Sequence, residues 1–332
     1  MVSETPAAHQ PLVSILVPIW NERANVSTLI ASFQRLTYHP CELVLCVGGT
    51  DGSFEEASRY VSEQIIVLQQ VAGEGKQRAL ARCFAASHGE LLFLTDADAR
   101  LTDDAFLSTL HPLLSGEYKA ATGPRAPLPE QMALPIIAYQ WTLEIAGNTQ
   151  FGQESIGILG SNAALTRTAA ESAGNFEWEA RTGTDLSLAL RLRQHGIRIR
   201  YVPDHPMPVA LATTVRDYSR QRSRWLRNLL LIGHRYNNRP LQCQALLSMS
   251  LGLSFWLLLL PGPYFHKRIL LWCALLTYGV YRRSQYVKRS PEIARHVLRR
   301  RLDLLLFYCL VDFFTWMRAG LEVLLPQWRG RW

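Results

Sequence analysis

The sequence predicts an α/β fold, a mostly parallel sheet flanked by helices, followed by helices at a membrane. Two observations carry the first part. Short β-branched runs alternate with helix-period stretches, the pattern of βαβ units. One such run, Leu91–Leu94, leads straight into Asp96 and Asp98, and sheets of this kind bind ligands beyond the carboxyl ends of their strands. A third observation carries the second part. From Leu241 to Phe265 no side chain is charged, about 25 residues against the ~20 needed to cross the hydrocarbon layer. The expected organisation is one domain over residues 1–228 and a membrane-associated helical region over 229–332.

The elements follow in order. VSILVPIW, Val13–Trp20, is a strand that contains Pro18 and runs into Asn21 and Glu22. ANVSTLIASFQRL has helical period. ELVLCVGG is a second strand stopped by two glycines, and DGSFEEASRYVSEQ is a helix opened by Asp51 or Ser53. QIIVLQQ is a third strand, GKQRALARCFAAS a helix of good formers, and ELLFLTD the strand that ends in the acids. In LTDDAF, Thr102 takes an N-cap position, so Asp103 and Asp104 fall in the first turn, where the helix dipole favours them. They are structural. Further on, Asp185 stands at the entry of an amphipathic helix ended by Gly196, and IRIRYV is the next strand.

The 332 residues carry a formal charge of +8, unevenly spread. YRRSQYVKRSPEIARHVLRRRL gathers Arg282, Arg283, Lys288, Arg289, Arg295 and Arg299–Arg301 beside apolar segments. A basic run can bind nucleic acid, but in this setting it reads as a cytoplasmic loop facing anionic lipid, over 282–301. Nucleic acid is therefore not an expected partner. Leu241–Phe265 is the expected span and 266–281 a marginal one. Over 302–325, Asp303, Asp312, Arg318 and Glu322 interrupt the apolar pattern. Charge at mid-membrane costs about 3 kcal/mol or more, so this segment is expected to lie in the interface. The N-terminus lacks the basic region of a secretory signal. The six cysteines show no CxxC spacing and the histidines no HExxH spacing, which points to a reducing compartment and to packing.

Each motif has two readings when taken alone. Asp96 and Asp98 either aim two carboxylates at one hard cation, Mg²⁺ or Mn²⁺, or cap a turn. Asp185 is either a plain helix cap or a base. SRQRSRW, with Gln221, Arg224 and Trp225, is either an interfacial anchor or part of a site.

The order PIWNE, GGTDGS, GEGKQRAL, LTDADA, GSNAALTR, GTDLSLALRL, QRSRW and then apolar helices resembles family 2 glycosyltransferases of the GT-A fold over about residues 12–228. Within these it is most similar to the membrane-bound branch that includes ceramide glucosyltransferase and bacterial lipid glycosyltransferases. The ending WRGRW, Trp328–Trp332, is also similar to that branch. The resemblance implies a Rossmann-like GT-A catalytic domain followed by membrane helices. It implies that Pro18, Asn21 and Glu22 form the first loop around the base, with Asp51 at the nucleoside and Lys76 near the nucleotide. Asp96 would approach the ribose, and Asp98, with Asp96, the metal. Gly160, Ser161 and Asn162 would lie beneath the donor sugar, and Asp185 would be the catalytic base. Gln221, Arg224 and Trp225 would close over the diphosphate and acceptor. Two departures stand out: Cys46 and Val47 replace an acidic pair common in relatives, and Thr184 replaces an acid before Asp185.

The implied activity is inverting, metal-dependent transfer of a hexose from a UDP-sugar to a membrane-lipid hydroxyl, that is, glycolipid synthesis by an integral membrane protein with its catalytic domain on the cytoplasmic side. One base facing away from the leaving group suffices for inversion, unlike retaining chemistry with a second carboxylate. A processive polysaccharide synthase is a rival reading, weakened by having one strong span and one marginal one. A non-catalytic membrane-anchored module that kept the fold is another, weakened by the acids and the QxxRW motif being present.

Overall fold

The computed structural model describes residues 10–148, 152–178 and 182–325. The chain divides into two compact units, one built from residues up to 126 and from 152–209, the other from 127–151 and from 210 onward.

The first unit opens with β1 (Val13–Trp20), α1 (Arg23–Phe33), β2 (Cys41–Gly48), α2 (Ser53–Ser58), β3 (Ile65–Gln69), α3 (Gly75–Ala86), β4 (Leu91–Leu94) and α4 (Asp103–Leu114). The four strands are parallel, in spatial order β3-β2-β1-β4. Side chains alternate across the sheet as the pleat requires. Val13, Ile15, Val17 and Ile19 pack with α1, α2 and α4, whereas Leu16 packs with α3 on the other face. Beyond β4 the chain adds β5 (Ala120–Thr122), β6 (Arg125–Pro127), β7 (Glu154–Ser155), β8 (Ala163–Thr166), α6 (Arg167–Ser172), α7 (Thr184–Gln194), β9 (Ile199–Tyr201) and β10 (Met207–Val209), with α5 (Pro135–Asn148) intervening in the second unit. β8 pairs antiparallel with both β4 and β5, β9 runs parallel to β5, and β7 closes the edge antiparallel to β9. The sheet is thus mostly parallel but turns mixed past β4, which the strand-by-strand reading does not reveal.

One polar knot ties the early strands together. Glu42 on β2 accepts from the Ser14 hydroxyl at 2.6 Å and from the His88 N–H at 2.6 Å, and Ser14 Oγ accepts from the Gly89 N–H at 2.7 Å. At Gly89 an added Cβ would lie 2.5 Å from Ser14 Oγ, so the turn into β4 approaches β1 too closely for a side chain. Thr102 occupies the N-cap of α4 without a side-chain capping bond. Asp103, in the first turn as expected, instead accepts the Thr37 N–H at 2.8 Å.

The second unit holds α5 and five further helices: α8 (Val215–Arg235), α9 (Arg239–Leu257), α10 (Phe265–Lys288), α11 (Glu292–Leu298) and α12 (Leu302–Leu324). Three sequence expectations are corrected here. The charge-free run 241–265 is not one continuous helix: α9 stops at Leu257, and Pro261-Gly262-Pro263 separates it from α10, because proline lacks the N–H a helix interior needs. The basic segment 282–301 is largely helical, formed by the end of α10 and by α11. Arg283 turns inward there, while Arg282 stays outside, bonded to Tyr286 at 2.6 Å. The helix long and apolar enough to cross a membrane is α12, the one such helix among the described residues.

The charges that mark α12 as interfacial in the sequence are neutralised within this unit. Asp312 is paired with Arg283 and accepts from the hydroxyls of Tyr139 at 2.5 Å and Tyr218 at 2.6 Å. Glu322 is paired with Arg227 at 2.8 Å and Arg318 at 2.7 Å. Small residues bring α9 against α12, since a Cβ on Gly252 would sit 2.6 Å from the Trp316 Cβ. WRGRW lies outside the described residues.

Candidate active site

The loops after β1 and β2 lock each other at the carboxyl edge of the sheet. Asn21, at a positive φ of 56°, accepts the Thr50 N–H at 2.7 Å, and the Glu22 N–H donates to Ser53 Oγ at 2.9 Å. Asp51 Oδ2 accepts the Arg23 N–H at 3.0 Å, and its Oδ1 accepts the Ser53 hydroxyl at 2.6 Å. Those bonds hold the exposed Asp51 carboxyl below its ordinary range, the Ser53 hydroxyl contributing most. Gly49 must be glycine, because a Cβ there would lie 2.1 Å from Asn21 Oδ1. Pro18 is not in this loop; it lies inside β1, opposite Cys46. Cys46 and Val47 are fully buried in the core, on opposite faces of the sheet. Asp51 is the acid these two loops hold at the edge of the sheet beside Asn21 and Glu22.

After β4 the chain makes a tight turn through Asp96–Ala99, pinned by a bridge from Ala99 to Val209 and by the Arg100 N–H on the Pro208 carbonyl at 2.9 Å. Asp98 is pushed up to about 7, chiefly by burial and then by the negative charges of Asp96 and Glu22, with Arg125 pulling the other way. Arg125 is a site residue the sequence reading missed. Its one signal is its place between two prolines in GPRAP; in the structure it opens β6.

Lys76, in the first turn of α3, joins the pieces. Its Nζ lies 2.6 Å from Asp96 Oδ1 and 3.8 Å from Asp185 Oδ1, so residues 89 apart in sequence meet at one ammonium. Burial works against that ammonium, but the facing Asp185, then Asp96 and Asp98, hold it protonated above its ordinary range. The neighbouring Gln77 is buried, and its amide donates to the Phe176 carbonyl at 2.7 Å. This ties the start of α3 to the segment that leads to α7. Gln77 was also missed, and a lone glutamine on a helix carries no signal.

Asp185 lies in the first turn of α7, after Gly183 at the N-cap with φ 66°. Gly160 is pressed against it: a Cβ at Gly160 would stand 2.6 Å from the Asp185 carboxyl carbon. Ser161 and Asn162 are buried behind Gly160. Asn162 Oδ1 accepts the Thr109 hydroxyl at 2.9 Å and its Nδ2 donates to the Pro124 carbonyl at 3.0 Å. Its side chain is committed to the loop's shape; Gly160 is the member that faces the carboxylate. Gln221, Arg224 and Trp225 lie on α8 in the other unit, Arg224 exposed and the other two half-buried. The Arg222 guanidinium stacks 4.9 Å from the Trp225 ring centre.

This edge presents carboxylates to a cation and an amine to an anion, with one further carboxylate beside both. Among the described residues no three His, Cys, Asp or Glu side chains are grouped to hold a metal unaided. A divalent ion here would share its shell with a ligand's own oxygens.

The chain is 25% identical over 234 residues, 65% of its length, to a protein of Bacillus subtilis named probable glycosyltransferase YdaM. It is 25% identical over 202 residues to the O-antigen chain rhamnosyltransferase WbaN of Salmonella anatum. The matched stretches span 55% and 64% of those relatives. In structure it is similar to the mannosyltransferase PcManGT of Pyrobaculum calidifontis, with a TM-score of 0.62 and 18% identity, covering 96% of this chain and 89% of that one. That likeness shows the fold, which is GT-A-like. The model of glycosyl transferase family group 2 matches residues 91–315, and the chain belongs to that family.

Proposed function

We propose that the protein transfers a hexose from a nucleoside diphosphate sugar to a lipid hydroxyl at a membrane surface, with inversion and with the help of a divalent cation. The observation that carries this reading is the meeting of Asp96 and Asp185 at Lys76. Asp185 takes the proton of the acceptor hydroxyl as that oxygen attacks the anomeric carbon. The bond from that carbon to the diphosphate oxygen breaks, and the electron pair leaves with the diphosphate. Lys76 places a fixed cation where that charge develops; a role for Arg224 as a second follows from the sequence resemblance alone. Asp96 and Asp98 would hold Mg²⁺ or Mn²⁺. Two half-buried hard carboxylates crowded by Glu22 form a donor set that gains from a cation. When bound, such an ion acts as a Lewis acid on the leaving diphosphate. The mannosyltransferase neighbour, described in complex with GDP-Man and Mn²⁺, supports this chemistry. Uridine as the donor base follows from the sequence resemblance.

The helical unit would hold the site at lipid. Its support is α12, a 23-residue helix long and apolar enough to cross a membrane, and exposed Leu246, Leu247, Leu270, Leu271 and Tyr278 on neighbouring helices. Exposed Lys288, Arg289 and Arg299–Arg301 favour the cytoplasmic face for this region. Purified protein incubated with UDP-glucose, UDP-N-acetylglucosamine or GDP-mannose, and with extracted membrane lipid, should yield a glycolipid by mass spectrometry. The product should require Mn²⁺ or Mg²⁺ and vanish with EDTA. Full turnover by Asp185→Asn, or none of these donors consumed, would overturn the reading.

A further inference from the structure

We propose that Asp312 and Glu322 are positioning residues for sugar transfer: they lock α8 in one rotation and register, and so decide where Gln221, Arg224 and Trp225 point. This rests on the reading that those three act on the diphosphate and acceptor.

Four side chains of α8 meet α12 through polar contacts. Tyr218 Oη donates to Asp312 Oδ1 at 2.6 Å, and the Ser219 and Thr315 hydroxyls lie 2.8 Å apart. Ser223 Oγ donates to Glu322 Oε2 at 2.6 Å, and Arg227 Nη1 reaches the same oxygen at 2.8 Å. All four α8 partners are buried. At ~100° per residue, they fall with Leu226 on one half of the helix, while Gln221, Arg224 and Trp225 fall on the other. Each acid is also braced by side chains outside α8. Tyr139 on α5 and Arg283 on α10 hold Asp312, and Arg318, one turn before Glu322 on α12, holds that residue.

Why use charges where apolar packing would serve? A buried ion pair is weak evidence for stability, since well-packed apolar replacements do as well or better. What polar partners do impose is register. A slip of α8 by one turn, ~5.4 Å, would part Tyr218 from Asp312 and both Ser223 and Arg227 from Glu322, whereas leucine against leucine would tolerate it. A continuous path also reaches the motif. The Tyr218 ring, anchored on Asp312, carries the Arg222 guanidinium at 5.6 Å, and that same guanidinium covers Trp225 at 4.9 Å.

The test is a double-mutant cycle on the full chain in detergent with Mn²⁺, reading nucleoside diphosphate release from UDP-glucose, UDP-N-acetylglucosamine and GDP-mannose. Glu322→Gln should lower turnover about tenfold or more. In an Arg224→Ala background it should cost less than about twofold, because the residue it positions is gone. Losses that multiply in the double mutant would overturn the proposal while leaving the role of Arg224 standing. Wild-type turnover by Arg224→Ala would remove the parent reading and this one with it. A second arm guards against simple unfolding. Arg227→Met, Glu322→Leu and Ser223→Ala together leave no buried partner of the acid orphaned, so the melting temperature should stay close to wild type while turnover still falls about tenfold. Full activity in that variant would show that the charges only pack.

Discussion

Asp96 and Asp185 keep 31% and 39% of their side-chain surface exposed and share a single lysine, whereas Asp312 and Glu322 are 6% and 5% exposed, each held by three or more side chains. The same chemical group is thus used in two ways. In the α/β unit the two carboxylates keep surface open to something outside the protein. Inside the helical unit they are spent on the protein itself. The first arrangement is what catalysis needs, because a base must be reachable. The second is what geometry needs, because a saturated acid resists movement. Mutations should therefore separate into those that stop chemistry in a stable protein and those that unfold it.

The sharpest separation is expected at Asp185. Asp185→Asn removes the proposed base and keeps the shape, so turnover should fall about 10²- to 10⁴-fold. The residue is half-exposed, and stability should change by no more than about 0.5 kcal/mol. Steady-state assay alongside thermal melting checks both. At Asp312 the outcome reverses. Asp312→Ala leaves the Arg283 guanidinium and two tyrosine hydroxyls buried without their acceptor, a change expected to cost about 3–5 kcal/mol of stability. A melting temperature close to wild type would break the contrast.

Gly160 sharpens the comparison within the first region. Its missing Cβ leaves the space the Asp185 carboxylate occupies, 2.6 Å away. In Gly160→Ala the carboxylate can swing toward solvent, which limits the damage to the fold. The base then sits about 1 Å or more from where it works, and activity should fall about 10- to 100-fold. Turnover near wild type would mean that the base is not held by this contact.

How much of this was legible in the sequence differs between the same two regions. β1, β2, α3 and β4 are readable because each is a run of residues with one dominant period, and Asp96 and Asp98 stand out because β4 stops at them; Asn21 and Asp51 enter as site candidates through the family resemblance. Past β4 the strands shrink to two to four residues, several of them rich in alanine, such as AAT and AALT. Nothing local distinguishes these from loop; they are strands because a neighbour pairs with them. In the helical unit, charge was counted without its partners. Asp312 and Glu322 look like obstacles to burial until Tyr218 and Ser223, 94 and 99 residues away in sequence, are seen to meet them. The break at Pro261-Gly262-Pro263 was visible, but an uncharged run hides a proline that a helical period would have exposed.

The smallest effect expected is at Glu42, which combines the two patterns: buried like Asp312, yet lying in the α/β unit. Burial opposes its ionisation, but the His88 N–H, the Ser14 hydroxyl and the His88 ring together hold the carboxyl below its ordinary value. A carboxyl depressed in the folded state adds stability that is fully present above its unfolded value of ~4.3 and disappears as pH falls through the folded one. Glu42→Gln retains an acceptor oxygen but not the charge. It should lower stability by about 1–2 kcal/mol near neutrality. That deficit should shrink as pH drops below ~4, where wild-type Glu42 takes up a proton and comes to resemble the mutant. Denaturant melts of both proteins across this range decide the matter: a constant deficit would mean that the knot between β1, β2 and the turn into β4 depends on shape alone.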